Sequence, residues 1–165
     1  ELWTVARAGG PTVHWEFGAL ACTGHTSSPY SGPTAALLRE GRRVTLENAG
    51  RLAYEVKQLP ESSAIEVEFD GAGTLTAYRL RKAPRGQRVL DGAVGVLRYD
   101  APRVWLERDG EPPLDFASGR IRDRLVQSTR LCAGYRHWVI GTIQPDGTMT
   151  LDEFRVLQPP RERRR

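Results

Sequence analysis

The stretch "CAGYRHWVIGTIQPDGTMTLDEFRV", Cys132 to Val156, predicts one long β-hairpin. Asp146-Gly147 is a strong signal for a tight hairpin turn, and strand-forming residues lie on both sides of it. The apolar residues before Asp152 and those after Glu153 fall on opposite strand phases. Because one extra residue in a strand produces such a slip, we predict a β-bulge between these two acids.

The first arm of this hairpin carries a histidine and a tryptophan, which raises the question of whether it belongs to a site. His137 shares one strand face with Val139, whereas Trp138 shares the other face with Ile140. Because both faces carry apolar groups, we predict that the strand is covered on both sides. This interpretation makes the arm a structural wall and not part of a site.

The residues before the hairpin predict three strands and then a helix. The strand signals are "AVGVLRY" (93–99), "RVWLER" (103–108) and "PLDF" (113–116). The period then changes in "SGRIRDRLVQSTRLC" (118–132), with Ser118 as the expected N-cap. Helical spacing connects four positions of this segment: Ile121, Leu125, Ser128 and Cys132.

The resulting order is strand-strand-strand-helix-strand-strand, and with the bulged last strand it resembles the OB-fold from Ala93 to Leu157. The phrase "WVIGTIQPDGTMTLDEFRVL" is similar to the last hairpin of many bacterial OB-type domains. The resemblance implies a closed five-stranded barrel with one short helix. It also implies the binding of single-stranded nucleic acid, because such barrels stack bases on exposed aromatic side chains in a basic groove. The same element order also fits an SH3-like barrel with an inserted helix.

The rest of the chain predicts a second, antiparallel β domain. Residues 1–81 read as a sheet or sandwich, in which "RRVTLEN" and "RLAYEVKQL" form one hairpin and "AIEVEF" and "TLTAYRLR" another. The segment "TAALLREG" fits either helical turns or a buried strand. Residues 82–92 are expected to be a linker, 93–158 the OB-like barrel and 159–165 a basic tail. The fold class predicted for the whole chain is therefore mainly β.

The positive charge of the chain is concentrated at its end. The formal net charge is +4 and the isoelectric point is near 9.4. The tail "RERRR", with four arginines and one glutamate, contributes +3 of this charge. The remaining residues are close to neutral, so composition alone does not indicate a strongly anion-attracting surface.

The two cysteines, Cys22 and Cys132, leave two interpretations open. They are far apart in the sequence and lack the spacing of a zinc-binding motif. If the protein is exported, they fit a single disulfide. In a reducing compartment they fit two buried thiols that pack as small apolar groups. The chain begins at Glu1 without an initiator methionine, and we expect either a processed product or an excised domain.

The sequence carries none of the common signatures of catalysis or metal binding. There is no G-x-S-x-G elbow, no phosphate-binding lysine loop, no H-E-x-x-H and no EF-hand pattern. We therefore expect a non-enzymatic protein with no cofactor and no metal. A small hydrolase built on His14, Glu16 and His25 is a weaker alternative. No apolar run approaches the length of a membrane span.

The predicted binding residues lie around an outward-facing tryptophan in the second strand of the barrel. Val104 and Leu106 should face the core, which turns Trp105 outward together with Arg103. Two further members of the predicted site, Arg98 and Tyr99, lie on the preceding strand. An outward tryptophan also fits packing against a neighbouring domain. Glu107 on the same face opposes phosphate binding.

These residues predict a binding or interaction module that recognises single-stranded nucleic acid, another anionic polymer or a protein. The alternative is an exported envelope or surface protein with a structural or partner-docking role, held together by a Cys22–Cys132 disulfide. The two hypotheses imply different compartments, and the sequence decides neither the compartment nor the oligomeric state.

Overall fold

A computed structural model describes residues 1–8, 34–46 and 50–157 of the chain. The described residues form ten strands and two helices, which confirms the mainly-β class. The strands are β1 (Leu2–Ala8), β2 (Thr34–Arg39), β3 (Arg42–Thr45), β4 (Ala64–Phe69), β5 (Leu75–Arg85), β6 (Arg88–Asp100), β7 (Arg103–Glu107), β8 (Leu114–Asp115), β9 (Arg136–Ile143) and β10 (Met149–Val156). The helices are α1 (Gly50–Val56) and α2 (Arg120–Cys132). Neither of these helices has the length and apolarity needed to cross a bilayer.

The strand pairs are antiparallel: β1 pairs with β2 and β4, β2 with β3, β6 with β5, β7 and β9, β7 with β8, and β9 with β10. The chain divides into two compact units inside β5, between Arg79 and Leu80. The segment 82–92, expected to be a linker, is instead a β-hairpin. Lys82 to Arg85 end β5 and pair with Asp91 to Arg88 of β6. The Pro, Gly and charged residues of this segment show no alternation of apolar side chains, so the sequence did not predict a strand. Main-chain hydrogen bonds form a hairpin without such alternation.

The described part of the first unit comprises residues 1–8, 34–46 and 50–79. Its buried side chains include Trp3, Val5, Leu37 and Ile65. Trp3 meets Phe69 edge to face, with ring centroids 5.6 Å apart, a geometry that aromatic pairs favour.

The stretch predicted as the second arm of a hairpin in this unit is helix α1. Alternation of Leu52, Tyr54 and Val56 fits a strand, but the buried residues include Ala53 and Val56, three positions apart. Glu55 is also buried, and its carboxylate accepts a hydrogen bond of 2.7 Å from the hydroxyl of Tyr78 on β5. A strand would have turned Glu55 away from the apolar stripe, so this tertiary partner favours the helix.

The second unit, Leu80–Leu157, contains the predicted strand-strand-strand-helix-strand-strand order as β6, β7, β8, α2, β9 and β10. The helix begins after Gly119, and not after the predicted cap Ser118, and no side chain caps it. The register of β9 and β10 shifts between Leu151 and Glu153, which confirms the predicted bulge. The core of the unit contains side chains from its strands and from α2: Ala93, Leu97, Val104, Leu106, Leu114, Phe116, Leu125, Val139, Met149 and Leu151.

The sheet is not closed into a barrel, which corrects the expectation of a five-stranded cylinder. β8 has only two residues, and between it and β10 there is a single parallel bridge, from Phe116 to Met149. The amide of Ala117 adds one hydrogen bond to the carbonyl of Met149 at 2.9 Å. β8 follows directly after Pro112 and Pro113, which cannot donate main-chain hydrogen bonds and so limit the extension of β8 on its N-terminal side.

Two strand glycines allow unusually close contacts between neighbouring backbones. A Cβ atom on Gly95 of β6 would lie 2.2 Å from the carbonyl oxygen of Glu107. A Cβ atom on Gly141 of β9 would lie 2.1 Å from the carbonyl oxygen of Thr150. Backbone atoms cannot move aside as flexible side chains do, so any other residue at these positions would force the strands apart.

Strand β9 is buried on both faces, as predicted for a wall. Its residues from His137 to Gly141 are all buried. The Nδ1 atom of His137 lies 3.0 Å from the carbonyl oxygen of Tyr135, which requires a proton on Nδ1. Its Nε2 atom is buried and has no hydrogen-bond partner among the described residues. Burial lowers the pKa of His137 to about 4, although the bond to Tyr135 acts in the opposite direction.

Replacement of either close-contact glycine is expected to destabilise the second unit. Gly95→Ala and Gly141→Ala should each lower the free energy of unfolding by about 2 to 3 kcal/mol, because the added methyl meets a backbone carbonyl. Urea denaturation followed by circular dichroism measures the change. Gly71→Ala is the matched control, since a Cβ there meets nothing within 4 Å, and should change stability by less than about 0.5 kcal/mol. Equal effects at all three positions would contradict the close-contact explanation.

The buried histidine is expected to make stability depend on pH. The pKa of His137 is about 4 in the folded protein, against the ordinary value of 6.5. Between pH 4 and pH 6.5 the unfolded chain therefore binds more protons than the folded protein. The stabilisation is complete above about pH 6.5 and is lost as the pH falls towards 4, by about 2 to 3 kcal/mol at pH 4.5. Urea denaturation at pH 7.5 and 4.5 should therefore show a larger loss for the natural protein than for His137→Leu. The same loss in both proteins would exclude His137 as the source.

Candidate functional site

The outer face of β6, β7 and β8 in the second unit brings together three of the four predicted binding residues. Val104 and Leu106 of β7 are 1% and 0% exposed, so the residue between them, Trp105, points away from the core. Trp105 lies opposite Arg98 of β6, and Arg103 shares its face two residues earlier on the same strand. The predicted outward orientation of Trp105 is confirmed.

Tyr99 does not belong to this group. It lies opposite Val104 in the β6–β7 ladder and packs against the core of the unit. Neighbouring residues of a strand point to opposite faces, so Arg98 and Tyr99 cannot both accompany Trp105. Tyr99 is therefore removed from the candidate site.

A second carboxylate that the sequence did not assign to the site completes the group. Asp115 of β8 lies opposite Trp105 on the side away from β6. The alternation in "PLDF" turns Leu114 and Phe116 inward and Asp115 outward, and this is the signal by which it could have been found. We call this set of five residues the Trp105 face: Arg98, Arg103, Trp105, Glu107 and Asp115.

Trp105 is half-buried and surrounded by charged pairs. The guanidinium carbon of Arg103 lies over its ring, 4.3 Å from the centroid. Arg103 also donates two hydrogen bonds to Asp115, from Nε at 2.8 Å and from Nη2 at 3.1 Å. On the other side of the tryptophan, Nε of Arg98 donates to Glu107 at 2.8 Å.

These pairs neutralise the face. The hydrogen bonds to Asp115 raise the pKa of Arg103 above its already high ordinary value, so its charge is constant at any physiological pH. Each arginine has one carboxylate partner, and Asp100, opposite Arg103 on the same face, adds a further negative charge. Exposed pairs of this kind add little to stability, because water and salt screen them. Their main effect is to hold the arginine side chains in fixed positions around the indole.

Another charged cluster in the second unit connects the β5–β6 hairpin to the bulge of β10. Nε of Arg85 and Nη2 of Arg88 lie 2.9 and 3.0 Å from the same oxygen of Asp152. Arg85 also pairs with Glu153. The cluster explains why both acids of the bulge face the arginines of the hairpin tip. It holds no aromatic ring, and we assign it a structural role.

The described residues contain no group of three or more His, Cys, Asp or Glu side chains placed to hold a metal ion. His14, Glu16 and His25, the residues of the weaker hydrolase hypothesis, lie outside the described part of the chain. The expectations of no enzyme activity, no metal and no cofactor stay predictions.

Only one of the two cysteines lies in the described part of the chain. Cys132 is buried at the end of α2 and is disulfide-bonded. Cys22 lies outside the described residues, so the pairing between the two cysteines stays a prediction.

Comparisons with known proteins give this chain no relatives. No family model, no curated protein and no solved structure matches it. The resemblance of the second unit to the OB-fold therefore stays a prediction.

Proposed function

We propose that this protein is a non-enzymatic binding module that recognises a protein partner through the Trp105 face. The observation that supports this proposal is the half-buried tryptophan on an outer strand face, ringed by four charged side chains. Stable protein interfaces have the same arrangement, with an aromatic anchor at the centre and a polar rim that excludes water.

Charge favours a protein over a nucleic acid as the partner. Arg98 and Arg103 each have a carboxylate partner within 3 Å. A phosphate would have to displace Glu107 or Asp115 and also approach Asp100, and each step costs electrostatic energy. A protein surface can cover the tryptophan and leave both pairs intact.

A comparison of the two tryptophans of the second unit supports the choice of this face. Trp138 of β9 is 6% exposed and lies within the wall strand, where it is not accessible to a partner. Trp105 lies on an exposed rung of the sheet, beside arginines whose side chains are 46% and 50% exposed. Tryptophan and arginine are the residue types that contribute most to binding energy in protein interfaces.

Site-specific crosslinking tests this proposal. A benzophenone amino acid in place of Asp100, at the rim of the face, should form discrete protein adducts in an extract of the organism that encodes the chain. The adducts should disappear when Trp105→Ala is added, because the anchor is lost. The same amino acid in place of Arg155, an exposed residue of β10, is the matched control and should give none of these adducts. No adduct at position 100, or adducts that persist without Trp105, would overturn the proposal.

The nucleic-acid alternative has its own measurement. A fifteen-nucleotide single-stranded DNA, titrated at 50 and 200 mM salt, should not quench the tryptophan fluorescence of the protein. Quenching that weakens at the higher salt concentration and disappears in Arg103→Ala would establish nucleic acid as the partner instead.

A second candidate function is an exported envelope or surface protein with a structural or docking role. The disulfide at Cys132 favours this candidate, since disulfides persist in oxidising compartments. A thiol count on unreduced protein purified from such a compartment should find no free thiol. Two free thiols would exclude the disulfide between Cys22 and Cys132, and this candidate with it.

A further inference from the structure

Resting on the proposed function, we propose that the Trp105 face binds an aromatic side chain of its protein partner, and that this ring stacks on the guanidinium plane of Arg103. The juxtaposition of three groups carries the inference: the indole of Trp105 beneath, the guanidinium of Arg103 above it, and the carboxylate of Asp115 at its edge.

The carboxylate of Asp115 fixes the orientation of the guanidinium. Two hydrogen bonds, of 2.8 and 3.1 Å, join two nitrogens of Arg103 to the two oxygens of Asp115. Such a two-point contact fixes the plane of the group as well as its position. The guanidinium carbon lies over the indole, 4.3 Å from the ring centroid, and the side chain of Arg103 is still 50% exposed. A partner's ring that lies on the exposed side therefore needs no rearrangement of Arg103, and binding loses little side-chain entropy.

The chemistry of the partner group follows from the hydrogen-bond state of Arg103. A carboxylate of the partner would have to lie close to the carboxylates of Asp115 and Asp100, which repel it. An aliphatic side chain would cover the guanidinium without a favourable electrostatic interaction. An aromatic ring presents its negative face to the cation and leaves the hydrogen bonds to Asp115 in place.

Arg98 provides an internal comparison. It is equally exposed, at 46%, and it is paired with Glu107 through Nε. It has the same charge as Arg103 and lies beside the same tryptophan. Among the described residues, its guanidinium neither lies over the ring nor makes a two-point contact with Glu107, so we assign the stacking role to Arg103 and not to Arg98.

Selection of peptides tests the inference on the intact protein. A random dodecapeptide library is selected on the natural protein and depleted on Trp105→Ala. The enriched peptides should share one Phe, Tyr or Trp position, and replacement of that position by Leu should weaken binding about tenfold. Isothermal titration calorimetry with one synthetic peptide measures the affinity. Enriched peptides without a shared aromatic position would overturn the inference.

Two charge-conserving variants then separate stacking from charge. Arg103→Lys keeps the positive charge and loses the planar group, so it should weaken the selected peptide about tenfold. Arg155→Lys, on β10 and outside the Trp105 face, is the matched control and should change the affinity less than twofold. Asp115→Asn, which loses the two-point contact but makes the face more positive, should also weaken the peptide. Equal affinities for Arg103→Lys and the natural protein would overturn the inference.

The two proposals fail in different ways. If Trp105→Ala abolishes the crosslinks from position 100 but Arg103→Lys leaves peptide binding unchanged, the protein-binding function stands and the stacking role of Arg103 is wrong. If no peptide depends on Trp105 and no crosslink forms, both are wrong.

Discussion

The second unit depends on two positions where a strand has no side chain. At Gly95 and Gly141 a carbonyl oxygen of the neighbouring strand occupies the space that a Cβ atom would need. Gly95 lies where β6 ends its ladder with β9 and begins its ladder with β7. Gly141 is paired with Leu151, immediately before the bulge of β10. Close backbone approach brings β7 against β6 at the first point and β10 against β9 at the second.

The orientation of the Trp105 face follows from the pairing of β6 with β7. Because side chains alternate along a strand, a slip of one residue between β6 and β7 would bury Trp105 and expose Val104 and Leu106. Burial of these two apolar residues in the core therefore determines the register. The same register places Arg98 beside the indole, and the pairing of β7 with β8 places Asp115 on its other side. The candidate site is thus a consequence of core packing on the opposite face of the same strands.

Paired charges give this face a character that its composition does not indicate. The chain is rich in arginine, and the whole sequence is basic, yet Arg98 and Arg103 each have a carboxylate partner. The face consequently presents a fixed aromatic and guanidinium surface with little net charge. Such a surface suits association with a protein more than attraction of a polyanion, and this is why the proposed function differs from the one that the OB-like element order suggests.

The sequence by itself determined the local features: the β9–β10 hairpin at Asp146-Gly147, its bulge, the element order of the second unit and the outward phase of Trp105. Each of these depends on residues close together in the chain. The alternation of side chains along β6 also predicts the strand face of Tyr99, which it shares with Leu97. The grouping of Tyr99 with Arg98 neglected that alternation. Only the tertiary structure decided the features that depend on distant partners. The hydrogen bond from Tyr78 to Glu55 favoured a helix over a strand, and main-chain pairing made residues 82–92 a hairpin. The sheet stayed open because β8 has two residues and a single bridge connects its end to β10. The partner of Arg103 belongs to the same class, since a charged side chain carries no local signal of which carboxylate the folded sheet will bring beside it.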